Sequence, residues 1–184
     1  MIRTSLRLVC LLCLLAVAAA HPARAASVSL TPDLKALLGA LPQIDGPLLT
    51  PKALEDRIVV VSFFASWCPP CRDEFDHLAE IDAAYRARGV TVVVINVFEE
   101  FGAKDDGGGR LVRFLAAHRP AFAVVRGSPA VRAAFGDVTR IPTLLIFDRA
   151  GRPATRFVHE QGAEKTNLTL GELEQAVRRL LGGT

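Results

Sequence analysis

Apolar residues fall into short runs separated by Gly, Pro and charged positions, and the runs alternate between two periodicities. Residues 58–65 (IVVVSFFA) are β-branched and aromatic and apolar at nearly every position, the pattern of a central strand covered on both faces. Over residues 71–88 the spacing turns helical: Phe75, Leu78, Ile81, Ala84 and Tyr85 share a face. Asp73, Glu74 and Asp76 fill its first turns, Arg86 and Arg88 its last, and Gly89 stops it. Residues 90–97 (VTVVVINV) read as a second buried strand, so strand, helix and strand make a βαβ unit with a parallel pair.

The rest of the chain follows the same alternation. Residues 110–118 predict a helix, 122–125 a short strand, 129–135 a helix and 143–148 (TLLIFD) a buried strand. A turn at 148–151 leads to an antiparallel edge strand at 155–159, and an amphipathic helix at 170–181 closes the chain before Gly182 and Gly183. Residues 26–51 are punctuated by Pro and Gly, with one amphipathic stretch at 33–38, and read as an N-terminal extension packing on the domain. The polar, Gly-rich loop at 104–109 lacks the Gly-Lys-Ser/Thr ending of a phosphate loop. No repeat or linker divides the chain.

The N-terminus changes the picture of charge and compartment. Arg3 and Arg7 precede an apolar run at 8–20, and Ala23-Arg24-Ala25 has the small-x-small pattern of a cleavage site. Charge, apolar stretch and cleavage site in that order predict a secretory signal over residues 1–25, with residues 26–184 as the exported domain. The run is shorter than the roughly 20 residues that span a bilayer, so an uncleaved membrane anchor is the second reading. Of 22 basic residues, Arg3, Arg7 and Arg24 belong to the signal; 19 remain against 19 acidic, so the formal +3 points to no nucleic-acid partner.

Of four cysteines, Cys10 and Cys13 fall in the signal, which leaves Cys68 and Cys71 for the exported domain. A pair three residues apart closes too small a loop to act as a staple, so its purpose is chemical. Cys68 stands where a buried strand hands over to a helix N-terminus, where amide donors and the helix dipole favour a thiolate below the free pKa of about 8.5. Cys68 is then the nucleophile and Cys71, on the same face of the first turn, the resolving thiol. Pro69 and Pro70 have no N–H to offer the Cys68 sulfur, and the acids at 73, 74 and 76 add negative charge; both make the couple more reducing. Half a structural zinc site would need two further ligands, and His77, His118 and His159 lack ligand spacing. A peroxidase would need a hydroxyl three residues before the reactive cysteine, where Ala65 stands.

Trp67-Cys68-Pro69-Pro70-Cys71 after a buried strand, with Arg140-Ile141-Pro142-Thr143 and the strand that follows some seventy residues later, resembles the thioredoxin superfamily and, more narrowly, the exported TlpA/ResA-type thiol–disulfide oxidoreductases. The resemblance covers about residues 41–181. It implies an α/β thioredoxin-like fold: a central mixed β-sheet flanked by helices, with an N-terminal extension and a strand/helix segment inserted between the second parallel strand and the cis-proline strand. It also implies that Ile141–Pro142 is cis and that Pro142 supports the Cys pair. Trp67, Pro70 and Ile141 are expected at the substrate-binding rim. Thioredoxin has a buried Asp six residues before its first cysteine; Ser62 is there instead. Some exported reductases carry a Glu after the second strand, a position matched by Glu99, with Glu100 an equal candidate, which could shuttle the Cys71 proton.

The expected function is reduction of disulfides in exported proteins, such as those of cytochrome c maturation or copper-centre assembly, by a periplasmic monomer. The redox-active Cys68–Cys71 disulfide would serve without another cofactor, recharged by a membrane thiol reductant of DsbD/CcdA type. A disulfide oxidase or isomerase shares these features, and a Cu(I) metallochaperone could use the two thiolates, although Met1 is the only methionine. The Asn167-Leu168-Thr169 sequon is read as chance.

Overall fold

The computed structural model describes residues 28–102 and 108–182. The expected signal at 1–25, with Cys10 and Cys13, and most of the 104–109 loop lie outside the described residues. In chain order the elements are α1 (Pro32–Gly39), β1 (Gln43–Asp45), β2 (Ile58–Phe64), α2 (Pro69–Tyr85), β3 (Val90–Asn96), α3 (Gly109–His118), β4 (Ala123–Arg126), α4 (Pro129–Ala134), β5 (Thr143–Phe147), β6 (Pro153–Val158) and α5 (Leu170–Leu180). They form one mixed sheet ordered β1-β4-β3-β2-β5-β6. β2, β3 and β4 are parallel neighbours, while β5, β6 and β1 run antiparallel to theirs.

β2 is buried at every position because the sheet is covered on both sides. Side chains alternate across a strand: Ile58, Val60 and Phe64 face a core shared with α2, α3 and α5, and Val59, Val61 and Phe63 face a second core shared with α1 and β5. In the first core Phe75 meets Phe64, Phe114 and Phe122 with ring centroids 5.0–5.4 Å apart, which seats α2 and α3 on the sheet.

Three expectations are corrected. Helix α2 begins at Pro69, two residues earlier than the apolar spacing implied, because a proline's missing N–H and fixed φ suit a first turn. Asp73, Glu74 and Asp76 therefore fall beyond that turn, and Glu74 points into the core rather than to solvent. The N-terminal extension does more than lie on the domain. Its β1 pairs with β4 (Gln43 opposite Val125), and α1 buries Leu34 and Leu38 in the second core.

Candidate active site

The site grows from the β2–α2 junction. Cys68 is the N-cap of α2, with Pro69 and Pro70 in its first turn, and its Sγ accepts a hydrogen bond from the Cys71 amide at 3.3 Å. Cys68 and Cys71 are joined as a disulfide with Cα atoms 5.3 Å apart. Both are buried, Cys68 at 4 % exposure and Cys71 at 1 %. The Ile141–Pro142 bond is cis, and the Pro142 carbonyl accepts from the His159 amide at 3.0 Å.

A cleft of about 510 Å³ opens over the pair, lined by Cys68 together with Trp67, Pro70, Phe98, Phe101, Ile141 and His159. Trp67, Pro70 and Ile141 thus meet at one rim. Asn167, within the sequon, donates to the Pro70 carbonyl at 3.2 Å and so ties the approach to α5 onto the Cys-bearing turn.

One of the three acids near the start of α2 is buried. Glu74 is 1 % exposed, three residues beyond Cys71 on the core-facing side of α2. Ser62, on the same face of β2 as Val60 and Phe64, donates its hydroxyl to Glu74 Oε1 at 2.5 Å. Glu74 Oε2 is buried with no hydrogen-bond partner. Burial pushes the Glu74 pKa up from 4.5 to about 7, against the opposing pull of the Ser62 hydrogen bond. Ser62, six residues before Cys68, thus meets a buried acid supplied by α2. The signal was present in the spacing: Cys71, Glu74, Phe75 and Leu78 share one helical stripe.

Glu99 sits elsewhere. Its Oε1 accepts from the Ser66 amide at 2.7 Å and from Asn96 Nδ2 at 2.5 Å, and its Oε2 accepts from the Ser66 hydroxyl at 2.7 Å. It braces the turn that carries Trp67. Glu100 is exposed. Sequence reasoning also missed the aromatic shoulder behind Trp67. Phe98 adopts a left-handed φ of 61°, its carbonyl accepts from Trp67 Nε1 at 2.6 Å, and its ring packs at a tilt against Phe101, centroids 5.7 Å apart.

The family model described as Redoxin matches residues 26–176. The chain belongs to the Redoxin family. Among its relatives, this redoxin is 35 % identical over 122 residues to a "Thiol:disulfide interchange protein DsbE homolog" of Paracoccus denitrificans, spanning 65 % of this chain and 62 % of that protein. It is 26 % identical over 151 residues to the "Thiol-disulfide oxidoreductase ResA" of Bacillus subtilis, 82 % of this chain and 80 % of that one. Its fold superposes on the crystal structure of a putative "Thiol:disulfide interchange protein DsbE" from Chlorobium tepidum with a TM-score of 0.59 and 30 % identity, covering 77 % of this chain and 92 % of that one. The redoxin thus has a thioredoxin-like fold and stands among relatives named for thiol–disulfide exchange.

Proposed function

We propose that the protein is an exported thiol–disulfide oxidoreductase that reduces disulfides in other exported proteins. The observation that carries the direction is the start of α2. The Cys68 sulfur has the Cys71 amide as a donor, while the two intervening residues are prolines with no hydrogen to give. A thiolate with fewer donors is less stabilised, so the dithiol yields its electrons more readily.

In the working direction the Cys68 thiolate attacks one sulfur of a substrate disulfide. A mixed S–S bond forms and the other substrate sulfur leaves as a thiolate that takes a proton from water. Glu74, as carboxylate, accepts the Cys71 proton. The Cys71 thiolate then attacks Cys68 Sγ, breaking the mixed disulfide and releasing the second substrate sulfur. Two electrons have passed from the dithiol to the substrate, and the protein holds the Cys68–Cys71 disulfide. A carboxyl that titrates near 7 suits this proton transfer at neutral pH. In this reading the cis Pro142, next to Ile141 of the cleft lining, supports the pair, and Glu99 holds the Trp67 turn in place.

Export through residues 1–25 to the periplasm, action as a monomer and recharging by a membrane thiol reductant of DsbD/CcdA type complete the proposal. The family resemblance implies clients such as those of cytochrome c maturation or copper-centre assembly, and the relatives' names, given for thiol–disulfide exchange, support the reaction class. The test is redox equilibration against glutathione, with a Cys71→Ser variant to trap clients. A reducing couple and a mixed disulfide on Cys68 are expected. A strongly oxidising couple replaces this reading with an oxidase or isomerase. Failure of Cys68 to capture anything, while the wild type turns over, reverses the assignment of nucleophile and resolver.

A further inference from the structure

The cleft over the Cys pair has an aromatic shoulder that simple exchange chemistry does not require. Cys68 is 4 % exposed and lines this cleft, so a substrate disulfide must enter the cleft to reach its sulfur. Phe101 stands on the rim with 69 % of its surface exposed, among the largest exposures of a big apolar side chain in the described residues.

An exposed phenyl ring is usually free to move, but this one is fixed from behind. It ends the short 3₁₀ turn Glu99–Phe101, in which the Phe101 amide donates to the Phe98 carbonyl at 3.1 Å. Its ring packs against Phe98 at a tilt of 44°, and the Arg132 guanidinium lies 4.7 Å from the Phe98 ring centroid. The Phe98 carbonyl also accepts from the Trp67 indole N–H, which links the shoulder to the turn bearing Cys68. Phe98 holds a left-handed backbone that a bulky residue adopts only under constraint, the kind of strain that gathers at functional sites.

The polar character of the cleft points the same way. Among the described residues its lining contains no carboxylate, and the guanidinium there, Arg140, is paired with Glu160. His159 contributes to the cleft wall, and its amide donates to the Pro142 carbonyl at 3.0 Å.

We infer that Phe101, held by Phe98 and Trp67, is a specificity-determining residue: the cleft selects an extended protein segment with an aromatic or large aliphatic side chain next to the cysteine to be reduced. That side chain would pack on the preset Phe101 ring, gaining apolar burial with little ordering of the protein. The inference rests on the oxidoreductase reading above and adds to it the class of segment recognised.

The experiment uses the reduced full domain with three substrates: an extended peptide disulfide with Phe beside its cysteine, the same peptide with Asp there, and hydroxyethyl disulfide, which has no flanking side chain. The wild type should favour the Phe peptide over the Asp peptide by about 10-fold in kcat/KM, the scale of one apolar contact in a pocket. Phe101→Ala should bring that ratio to about 2 or below, mainly through KM, and Phe101→Leu should restore part of it. An unchanged ratio in Phe101→Ala overturns the inference. So does an equal loss on all three substrates, which would make Phe101 a support of the Cys geometry. A wild type inert towards hydroxyethyl disulfide as well overturns the oxidoreductase reading, and the specificity with it.

Discussion

Two carboxylates lie near the Cys pair, and their surroundings are opposite. Under helix α2, Glu74 is sealed in the core with one hydroxyl donor and one bare oxygen. Beside Trp67, Glu99 has donors on both oxygens, from Ser66 and Asn96. Sealing a carboxyl with few donors favours its neutral form and puts proton exchange within reach of neutral pH, whereas donors on every side make a carboxylate a rigid brace. In the proposed mechanism that difference gives proton traffic to Glu74 and shape to Glu99. Distance along the sequence would not have separated them: Glu74 is close to Cys71 in the chain, and Glu99 reaches Ser66 from 33 residues away.

The sharpest way to break this contrast is the pH dependence of stability. In the folded protein Glu74 keeps its proton up to about pH 7, while in the unfolded chain it loses it near 4.5. Between those values the folded state binds more protons, so this group's contribution is fully present below pH 4.5 and is lost as pH rises through about 7. The swing is about 3 kcal/mol. Glu74→Gln has no such titration. Urea unfolding of the oxidised protein should show wild type losing about 3 kcal/mol relative to Glu74→Gln between pH 4.5 and pH 8. The same variant should slow disulfide reduction about 100-fold and remove the inflection near neutral pH from its rate profile. Stability curves that stay parallel across the range would show that Glu74 does not carry this buried proton.

Glu99→Ala tests the other half. It strips the Ser66 amide and hydroxyl of their acceptor at a buried residue, which should destabilise the protein by about 2 kcal/mol. Turnover should fall by less than about 5-fold, with the inflection of the rate profile kept, because the proposed proton route runs through Glu74. If Glu99→Ala erases that inflection and Glu74→Gln leaves it, the two roles are exchanged.

How much of this was legible beforehand depends on the residue. β2 and β3 were plain in the sequence because burial on both faces writes an unbroken apolar run, and the Cys pair stood out as the domain's two cysteines. Pro142 needed the family resemblance, since a proline before a strand looks the same whether its bond is cis or trans. β1 was not legible: three half-buried residues carry too short an alternation, and the strand forms because β4 offers it an edge. Glu74 was read with its neighbours as one of three acids of the first helical turns, although it lies in register with Cys71 and Leu78 on the buried stripe. Phe98 and Phe101 carried no periodic signal, because their arrangement comes from a left-handed residue and a single 3₁₀ turn.

The finest probe of the contrast is the donor to Glu74. Ser62 supplies Glu74 with its side-chain hydrogen bond, and that bond lowers the pKa that burial raises. Ser62→Ala keeps the strand and the packing volume nearly intact and removes only the hydroxyl. The loss of stability should be about 1 kcal/mol, because the carboxyl left behind can remain protonated. The telling readout is direction: with the donor gone, the inflection of the reduction rate should move to higher pH, and Ser62→Thr should move it back. A shift to lower pH would mean that water or another group satisfies Glu74 better than Ser62 does. The number of donors around each carboxylate would then no longer explain why one holds a proton and the other holds a turn.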